Sequence, residues 1–224
     1  MATPLFARIA PIAASIALCC SMISPAQATE SEPAQDLLQG GRLAGSSTQL
    51  LPRGLSSDNA LVETASAVDL ERFAGTWYQV AAVPQPYTLQ CLRDTTATYE
   101  RIAPGELSVK NACVTPWGAT SSIEGTATVR SKASLRVNFP NIPFQNPEGP
   151  VNYRVTYLAD DYSLAIVGDP DRLSGFVLSR TPDLPAEQWR LVQRTLDQRG
   201  WWPCTFLTVP ARGGMEDIKP VCTL

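Results

Sequence analysis

The sequence contains one short run of groups that could transfer protons, Asp160-Asp161-Tyr162 in "ADDYSLAIVG". A carboxylate can act as a general base, and a tyrosine hydroxyl can act as a general acid, when both reach the same substrate. An acidic run of this kind is more often a hydrated stretch of surface. The chain contains no histidine, which excludes a serine–histidine triad, a cysteine–histidine dyad and the common histidine metal sites.

The cysteines are the other reactive side chains of the sequence. Two of the six, Cys19 and Cys20, belong to the N-terminal segment, and the other four are Cys91, Cys113, Cys204 and Cys222. An even number of cysteines in an exported chain is typical of disulfides, and four cysteines allow three pairings. Nucleophilic or metal-binding cysteines are the alternative, and the lack of histidine makes structural bridges the favoured interpretation.

The overall charge of the chain argues against a nucleic-acid partner. There are 18 Lys and Arg residues against 21 Asp and Glu residues, and the basic residues form no block. A nucleic-acid-binding surface requires clustered positive charge that neutralises phosphates. We therefore expect no nucleic acid. With no histidine in the chain, we also expect no metal, and no motif indicates a cofactor.

The first 28 residues have the layout of a secretory signal peptide. A short start with one basic residue, Arg8, precedes an uncharged apolar stretch over 9–23, and Ala26-Gln27-Ala28 supplies small residues around a cleavage point. The apolar stretch is shorter than the ~20 residues that a membrane-spanning helix needs. The sequence therefore predicts a mature protein that begins near Thr29 and is periplasmic or secreted.

A lipid anchor on Cys19 or Cys20 is a third interpretation of this segment, and it would make the protein an outer-membrane lipoprotein. The signal for such an anchor has a small residue before the cysteine, whereas this chain has Leu18 there.

Short strands dominate the chain from Val68 onward. Residues 29–66 show no strong period and are expected to form an extended or disordered arm. The following runs alternate in polarity and are rich in β-branched and aromatic residues, with Pro and Gly between them. They are "GTWYQVAAVP", "DTTATYER", "GELSVKNACV", "SIEGTATVR", "SLRVNF", "VNYRVTYLA", "YSLAIVG" and "GFVLSR". Eight strands at this spacing predict a sandwich or an up-and-down barrel.

One helix follows the strands, in "TPDLPAEQWRLVQRTLDQRG". Asp183 is its expected N-cap, and Gly200 stands where a helix usually ends. The period of 3.6 predicts one apolar stripe, formed by Ala186, Trp189, Val192 and Leu196. A single helix can pack on the outside of one barrel, and a short ninth strand is expected in "CTFLTV".

Four motifs in order resemble a lipocalin, closest to the group of bacterial outer-membrane lipocalins and apolipoprotein D. They are "GTWY" after a short Asp-Leu-Glu-Arg-Phe lead-in, "TATY", "ADDYSLAIVGDPD" and "VLSRTP". The resemblance implies an all-β, eight-stranded antiparallel up-and-down barrel over residues 67–210, with one closed end and one open mouth. It places Asp160 and Asp161 in a strand-to-strand turn near the closed end, which favours the hydrated turn over acid–base chemistry. Residues 211–224 are expected to form a tail tethered by a disulfide.

The resemblance also implies that Gly75, Trp77 and Arg180 close the narrow end of the barrel. Gly75 lets the chain turn and approach another backbone, and Trp77 fills the end. Strand parity puts Trp77 on one face of the first strand with Gln79, Ala81 and Val83. The guanidinium of Arg180 is expected over the indole of Trp77, where a cation–π contact is worth ~0.5–2 kcal/mol.

The candidate ligand residues are the other strand positions whose side chains, by the alternation of the strands and the resemblance, point into the barrel. They form a mainly apolar set with a few polar tips, which is typical of a small-molecule cavity: Tyr99, Asn111, Phe139, Tyr153, Phe176 and Gln79. An eight-stranded barrel is just wide enough to be filled by side chains or to hold one small ligand. For each residue, a place in a filled core is therefore the alternative.

The barrel that the resemblance implies favours one of the three cysteine pairings. Cys91 precedes the second strand and Cys113 lies near the end of the third. The start of one strand and the end of the next are adjacent in an antiparallel hairpin. The predicted disulfides are therefore Cys91–Cys113 and Cys204–Cys222.

Two functions fit the resemblance. The first is a carrier of a small hydrophobic ligand, such as a fatty acid or a lysophospholipid. The alternative is a lipocalin-fold enzyme of the isomerase or de-epoxidase type. A third class, a purely structural or interaction protein, would require a solid barrel interior. The sequence leaves contact with a membrane surface and the oligomeric state open.

Overall fold

The computed structural model describes residues 59–143 and 145–224. The predicted signal peptide and residues 29–58 of the predicted arm lie outside this part of the chain. The described elements are α1 (Leu70–Phe73), β1 (Gly75–Ala82), β2 (Arg93–Ala103), β3 (Glu106–Val114), β4 (Thr120–Val129), β5 (Ser134–Asn138), β6 (Tyr153–Leu158), β7 (Leu164–Gly168), β8 (Gly175–Ser179), α2 (Ala186–Gln198) and β9 (Leu207–Thr208). Three single turns of 3₁₀ helix cover Pro86–Thr88, Pro203–Thr205 and Val221–Thr223.

The strands form one closed antiparallel barrel. Their order is β2-β3-β4-β5-β6-β7-β8-β1-β9, and an additional β1–β2 pairing closes the ring. From β1 to β8, each strand pairs with the next one in the chain, so their connections are simple hairpins. The predicted eight-stranded up-and-down barrel is confirmed, with β9 added beside β1.

Two apolar clusters hold this fold together. The first lies inside the barrel and includes Phe73, Trp77 and Tyr99. The second lies between the outer wall and α2, where Val80, Ile166 and Val177 of the barrel meet Trp189 and Leu196. Neighbouring side chains of a strand point to opposite faces, so β7 can supply Val167 to the first cluster and Ile166 to the second.

The amphipathic stripe of α2 is present with two differences from the prediction. Trp189, Val192 and Leu196 are buried, but Ala186 at the start of the helix is exposed. The N-cap is Pro185 rather than Asp183, and it makes no side-chain cap hydrogen bond. Proline fits there because its fixed φ suits a helix start. In the part of the chain that the structure covers, neither helix is long and apolar enough to cross a membrane.

The predicted face of β1 is correct only for its first half. The register of β1 against β8 shifts between Gln79 and Ala81, where β1 carries one extra residue. Such a bulge moves every later side chain to the other face. Ala81 and Val83 consequently pack in the outer cluster, not on the face of Trp77 as predicted.

Residues 59–66, the last part of the predicted arm, pack along the barrel wall. Leu61 is fully buried in the outer cluster, and its N–H donates to the carbonyl of Pro170 at 2.8 Å. Its own carbonyl accepts a hydrogen bond from Nη1 of Arg154 at 2.5 Å. This segment is therefore part of the folded domain, because its backbone groups find partners on the barrel.

The structure contains the two disulfides that the sequence predicts. Cys91–Cys113 ties the β1–β2 loop to the end of β3, and Cys204–Cys222 ties the C-terminal tail to the segment before β9. The tail also forms a bridge between Leu207 and Pro220.

Candidate functional site

The barrel encloses a cavity of about 580 Å³. In an up-and-down barrel, the loops that follow β1, β3, β5 and β7 lie at one end, and residues of the β1–β2, β5–β6 and β7–β8 loops line the cavity. The cavity therefore opens at this end, which we call the mouth. The volume lies within the range of ~300–1,000 Å³ that is usual for small-molecule sites.

All six candidate ligand residues line this cavity: Gln79, Tyr99, Asn111, Phe139, Tyr153 and Phe176. They come from strands β1, β2, β3, β6 and β8 and from the residue that follows β5. The structure thus brings together side chains that the sequence could place only by parity.

Tyr99 and Tyr153 form a hydrogen-bonded pair in the barrel. Their hydroxyl oxygens are 3.0 Å apart, and their rings meet edge to face with centroids 6.3 Å apart. Tyr99 also contacts Phe73 of α1, at a ring separation of 5.3 Å, so the pair lies toward the closed end. Burial raises the pKa of Tyr99 to about 12 and raises the pKa of Tyr153 well above its ordinary value. Both hydroxyls are therefore protonated at neutral pH.

Asn111 and Gln79 are the other predicted polar groups of the wall. Asn111 stands opposite Ala97 of β2 and Ile123 of β4, and Gln79 stands opposite Leu178 of β8. Both side chains are half-buried, and among the described residues neither amide has a protein hydrogen-bond partner. Both amides can therefore serve a molecule in the cavity.

Phe139 occupies its place because of Gly125, which sequence reasoning missed. A Cβ at Gly125 would lie 2.2 Å from the Asn138 carbonyl oxygen and 2.7 Å from Cδ1 of Phe139. The missing side chain on β4 therefore gives the Phe139 ring room. The signal in the sequence was a glycine inside the strand "SIEGTATVR", which usually marks such a close approach.

Asn152 was also missed, and its function is to complete the wall. Its Oδ1 accepts from the N–H of Val137 at 2.8 Å, and its Nδ2 donates to the Val137 carbonyl at 2.9 Å. These two bonds take the place of a strand partner, because β5 pairs with β6 only at Ser134 and Leu135. No local pattern in the sequence distinguishes this asparagine from a loop residue.

Among the described lining residues, Asp169 is the one charged side chain. Its Oδ1 accepts hydrogen bonds from the N–H and the hydroxyl of Ser174, and its Oδ2 accepts from the N–H of Asp171. Asp169 therefore shapes the β7–β8 loop at the mouth.

The closed end is built around Arg180. Its guanidinium lies 3.8 Å from the Trp77 ring centroid, as the resemblance implied. Its N–H groups donate to the carbonyl oxygens of Thr76 at 3.0 Å, Arg72 at 2.8 Å and Ala74 at 2.9 Å. Burial lowers the pKa of Arg180. Arg180 therefore satisfies carbonyls that the tight chain entry leaves without strand partners.

Gly75 fits the closed end for a more specific reason than the one predicted. Its φ is +94°, and a Cβ there would lie 3.3 Å from Nη1 of Arg180. The group that approaches it is thus the Arg180 side chain and not another backbone. A positive φ of this size strains any residue with a Cβ.

The acidic run lies outside the cavity, in the turn between β6 and β7. The Tyr162 hydroxyl accepts from the N–H of Asp69 at 2.9 Å, and the Arg72 guanidinium lies 4.0 Å from its ring centroid. Asp161 accepts from the N–H and the hydroxyl of Ser163, and these bonds lower the pKa of its carboxyl. These groups brace the closed end, and among the described residues no cluster of acidic or cysteine side chains could hold a metal ion.

Exposed apolar side chains surround the mouth. Leu89 is 81% exposed, Trp117 is 77% exposed and Leu173 is 75% exposed, and each comes from a different mouth loop. Tyr87 and Ile142 add to this ring. The loop stretches "VPQPYTLQCL" and "TPWGA" contain no charged residue. The closed end carries the charges of Asp69, Glu71, Arg72, Arg101, Arg130, Lys132, Asp160 and Asp161.

Comparisons with known proteins agree on one family. The family model described as "Lipocalin-like domain" matches residues 68–211. The chain is 32% identical over 146 residues to temperature-induced lipocalin-1 of Arabidopsis thaliana. This alignment covers 61% of this chain and 76% of that protein. It is 30% identical over 166 residues to outer membrane lipoprotein Blc of Escherichia coli K12, covering 72% and 86%.

A solved structure shows the same fold. The cockroach allergen Per a 4 superposes with a TM-score of 0.53 at 16% identity, covering 67% of this chain and 93% of that one.

Proposed function

Because the chain belongs to the lipocalin family, we propose that it binds a small hydrophobic molecule reversibly in its barrel and carries it. The observation that carries this proposal is the cavity of about 580 Å³, which has a mainly apolar wall and an open mouth. A structural or interaction protein would have side chains filling this space. Removing apolar ligand surface from water gains ~25 cal/mol per Å², from which ordering costs are subtracted.

The wall favours a carrier over the enzyme alternative. The tyrosine hydroxyls are held protonated by burial, and Asp169 is engaged by its own loop. The acidic turn that suggested acid–base chemistry lies at the other end of the barrel from the mouth. Among the described wall residues, the Ser174 hydroxyl does lie beside a carboxylate, at 2.8 Å from Asp169 Oδ1, but that carboxylate also accepts the N–H groups of Ser174 and Asp171 and holds the loop. The wall thus favours hydrogen bonding to a ligand over nucleophilic chemistry.

A titration of the delipidated full-length mature protein with Nile red, an uncharged hydrophobic dye, tests the carrier. We expect saturable binding with a micromolar or lower Kd and a blue-shifted emission. Mass spectrometry of the molecules extracted from natively purified protein would then identify the cargo class. Absence of saturable binding, or turnover of a lipid-like substrate by the pure protein, would argue for the enzyme alternative.

We further propose that the mouth contacts a lipid surface, where such cargo dissolves. Two of the mouth loops are uncharged and present Leu89 and Trp117, which enter a bilayer interface at low desolvation cost. The β7–β8 loop adds the exposed Leu173 beside Asp169, Asp171 and Arg172, so its leucine can insert while these charged groups stay at the polar headgroups. We expect the protein to float with neutral phosphatidylcholine vesicles. The double substitution Leu89→Asp with Leu173→Asp should lower the partition coefficient at least ~10-fold, because burying each leucine contributes ~1.5–3 kcal/mol.

The matched control compares Ile102→Asp with the single substitution Leu89→Asp, because each adds one charge at an exposed apolar side chain and the two lie at opposite ends of the barrel. Ile102 is 54% exposed at the end of β2. The Ile102→Asp variant should float with the vesicles like the wild type. Equal loss in both variants would show that added charge alone weakens the contact, and the mouth would have no special role.

We also propose that the protein is exported and that its mature form begins near Thr29. The layout of residues 1–28 supports cleavage, while the lipoprotein relatives support the alternative of an acylated cysteine. Intact mass of the mature protein should match a free N-terminus at Thr29. A mass that includes acyl chains on Cys19 or Cys20 would contradict this and would place the protein on a membrane.

A further inference from the structure

The charges of the residues that line the cavity restrict the class of ligand more than the cavity volume does. None of the described lining residues is a lysine or an arginine, and their one charge, Asp169, is negative and engaged. The cation at the closed end, Arg180, is not among the lining residues, and its N–H groups donate to main-chain carbonyls. Lys110 of β3 pairs with Glu124 on the outer surface, with Nζ and Oε1 2.9 Å apart.

The tyrosine pair leaves one proton unused. Two hydroxyls carry two protons, and their mutual bond at 3.0 Å uses one. Among the described residues, no protein acceptor receives the second proton, and both tyrosines line the cavity. A ligand oxygen of a hydroxyl or carbonyl group is the complement of such a donor, and Asn111 can add a second bond.

A ligand carboxylate beside the tyrosine pair and Asn111 is energetically unfavourable. Burying an ionised carboxylate requires an opposite charge or several hydrogen bonds, and one phenol donor with one amide does not replace its hydration. The tyrosines show that the surroundings disfavour negative charge, because burial raises the pKa of both.

We infer that the cavity selects hydrophobic molecules whose inward polar end is uncharged, such as long-chain alcohols, ketones or esters, over the corresponding carboxylates. This inference rests on the proposed carrier function and narrows its ligand class. Free fatty acids, which the lipocalin resemblance implied as ligands, become the weaker ligands.

Competition between two matched twelve-carbon compounds tests this inference. Nile red is bound to the delipidated full-length mature protein at pH 7.5, and 1-dodecanol and dodecanoate are added separately below their aggregation limits. We expect dodecanol to displace the dye at a concentration at least ~10-fold lower than dodecanoate, after correction for their partition into neutral micelles, and a tenfold ratio corresponds to ~1.4 kcal/mol.

Asn111→Lys provides the charge that the wall lacks, and Asn111→Met is its uncharged control of similar length. The lysine variant should improve displacement by dodecanoate at least ~10-fold relative to the methionine variant, since an opposite charge now compensates the carboxylate. Unchanged circular dichroism and melting of both variants establish that the barrel is intact.

The outcomes separate this inference from the proposed function. If Nile red binds and dodecanoate displaces it as well as dodecanol, the carrier stands and the selectivity is wrong, because the chain then enters tail first. If Nile red does not bind, the carrier itself fails, and the inference fails with it.

Discussion

Replacing Trp77 with alanine should lower the free energy of unfolding by about 3–5 kcal/mol, as large-to-small changes of buried aromatic residues do. The side chain is fully buried, and its indole N–H donates to the Phe73 carbonyl at 2.8 Å. Removal also leaves the Arg180 guanidinium without the ring that lies 3.8 Å from it. Urea unfolding at 25 °C, followed by circular dichroism with the disulfides intact, measures this loss.

Two variants control this experiment. Trp77→Phe keeps a ring at the closed end and should cost less than the alanine, because much of the volume and of the contact with Arg180 remains. Trp117→Ala removes the same side chain from an exposed mouth loop and should stay within ~0.5 kcal/mol of the wild type. A Trp77→Ala protein with wild-type stability that had lost Nile red binding would assign Trp77 to the ligand site, contrary to our division of the barrel.

Replacing Phe176 with aspartate should weaken Nile red binding at least ~100-fold, which corresponds to ~2.7 kcal/mol. Phe176 stands between Ala82 of β1 and Val167 of β7 and lines the cavity. The new carboxylate would face a wall whose described residues supply no cation, so either the charge is buried unpaired or water fills the binding volume. Fluorescence titration on the delipidated variant measures the change.

Phe176→Leu is the matched control, because it keeps the position apolar and should change Kd by less than ~10-fold. The melting temperature of each variant is measured in parallel, so that loss of binding is separated from loss of the fold. An aspartate variant that is folded and binds Nile red like the wild type would place the ligand away from β8.

The strands themselves were predictable because they depend on local information, and the lipocalin resemblance supplied their up-and-down order. Alternation with period two identifies each strand and its inner face, and each hairpin joins strands that are neighbours in the chain. Parity therefore placed Tyr99, Asn111, Tyr153 and Phe176 correctly at the cavity wall. It was wrong for Ala81, because the bulge in β1 depends on how β1 fits β8, which parity does not contain.

The sequence by itself determined the strands and which of their side chains share a face, since hydrophobic period and turn residues specify them within short segments. The choice of a barrel over a sandwich, and the disulfide pairings that fit the barrel, came from the resemblance of four sequence motifs to the lipocalins. Only the tertiary structure decided which inward side chains lie at the same height. That height follows from the stagger between strands, which the whole ring fixes together. The bond between the Tyr99 and Tyr153 hydroxyls, the Phe139 ring over Gly125 and the Arg180 contacts with α1 all join residues far apart in the chain. The chemical character of the cavity, mainly apolar with a few hydrogen-bonding groups and without a described cation, is therefore a property of the closed barrel.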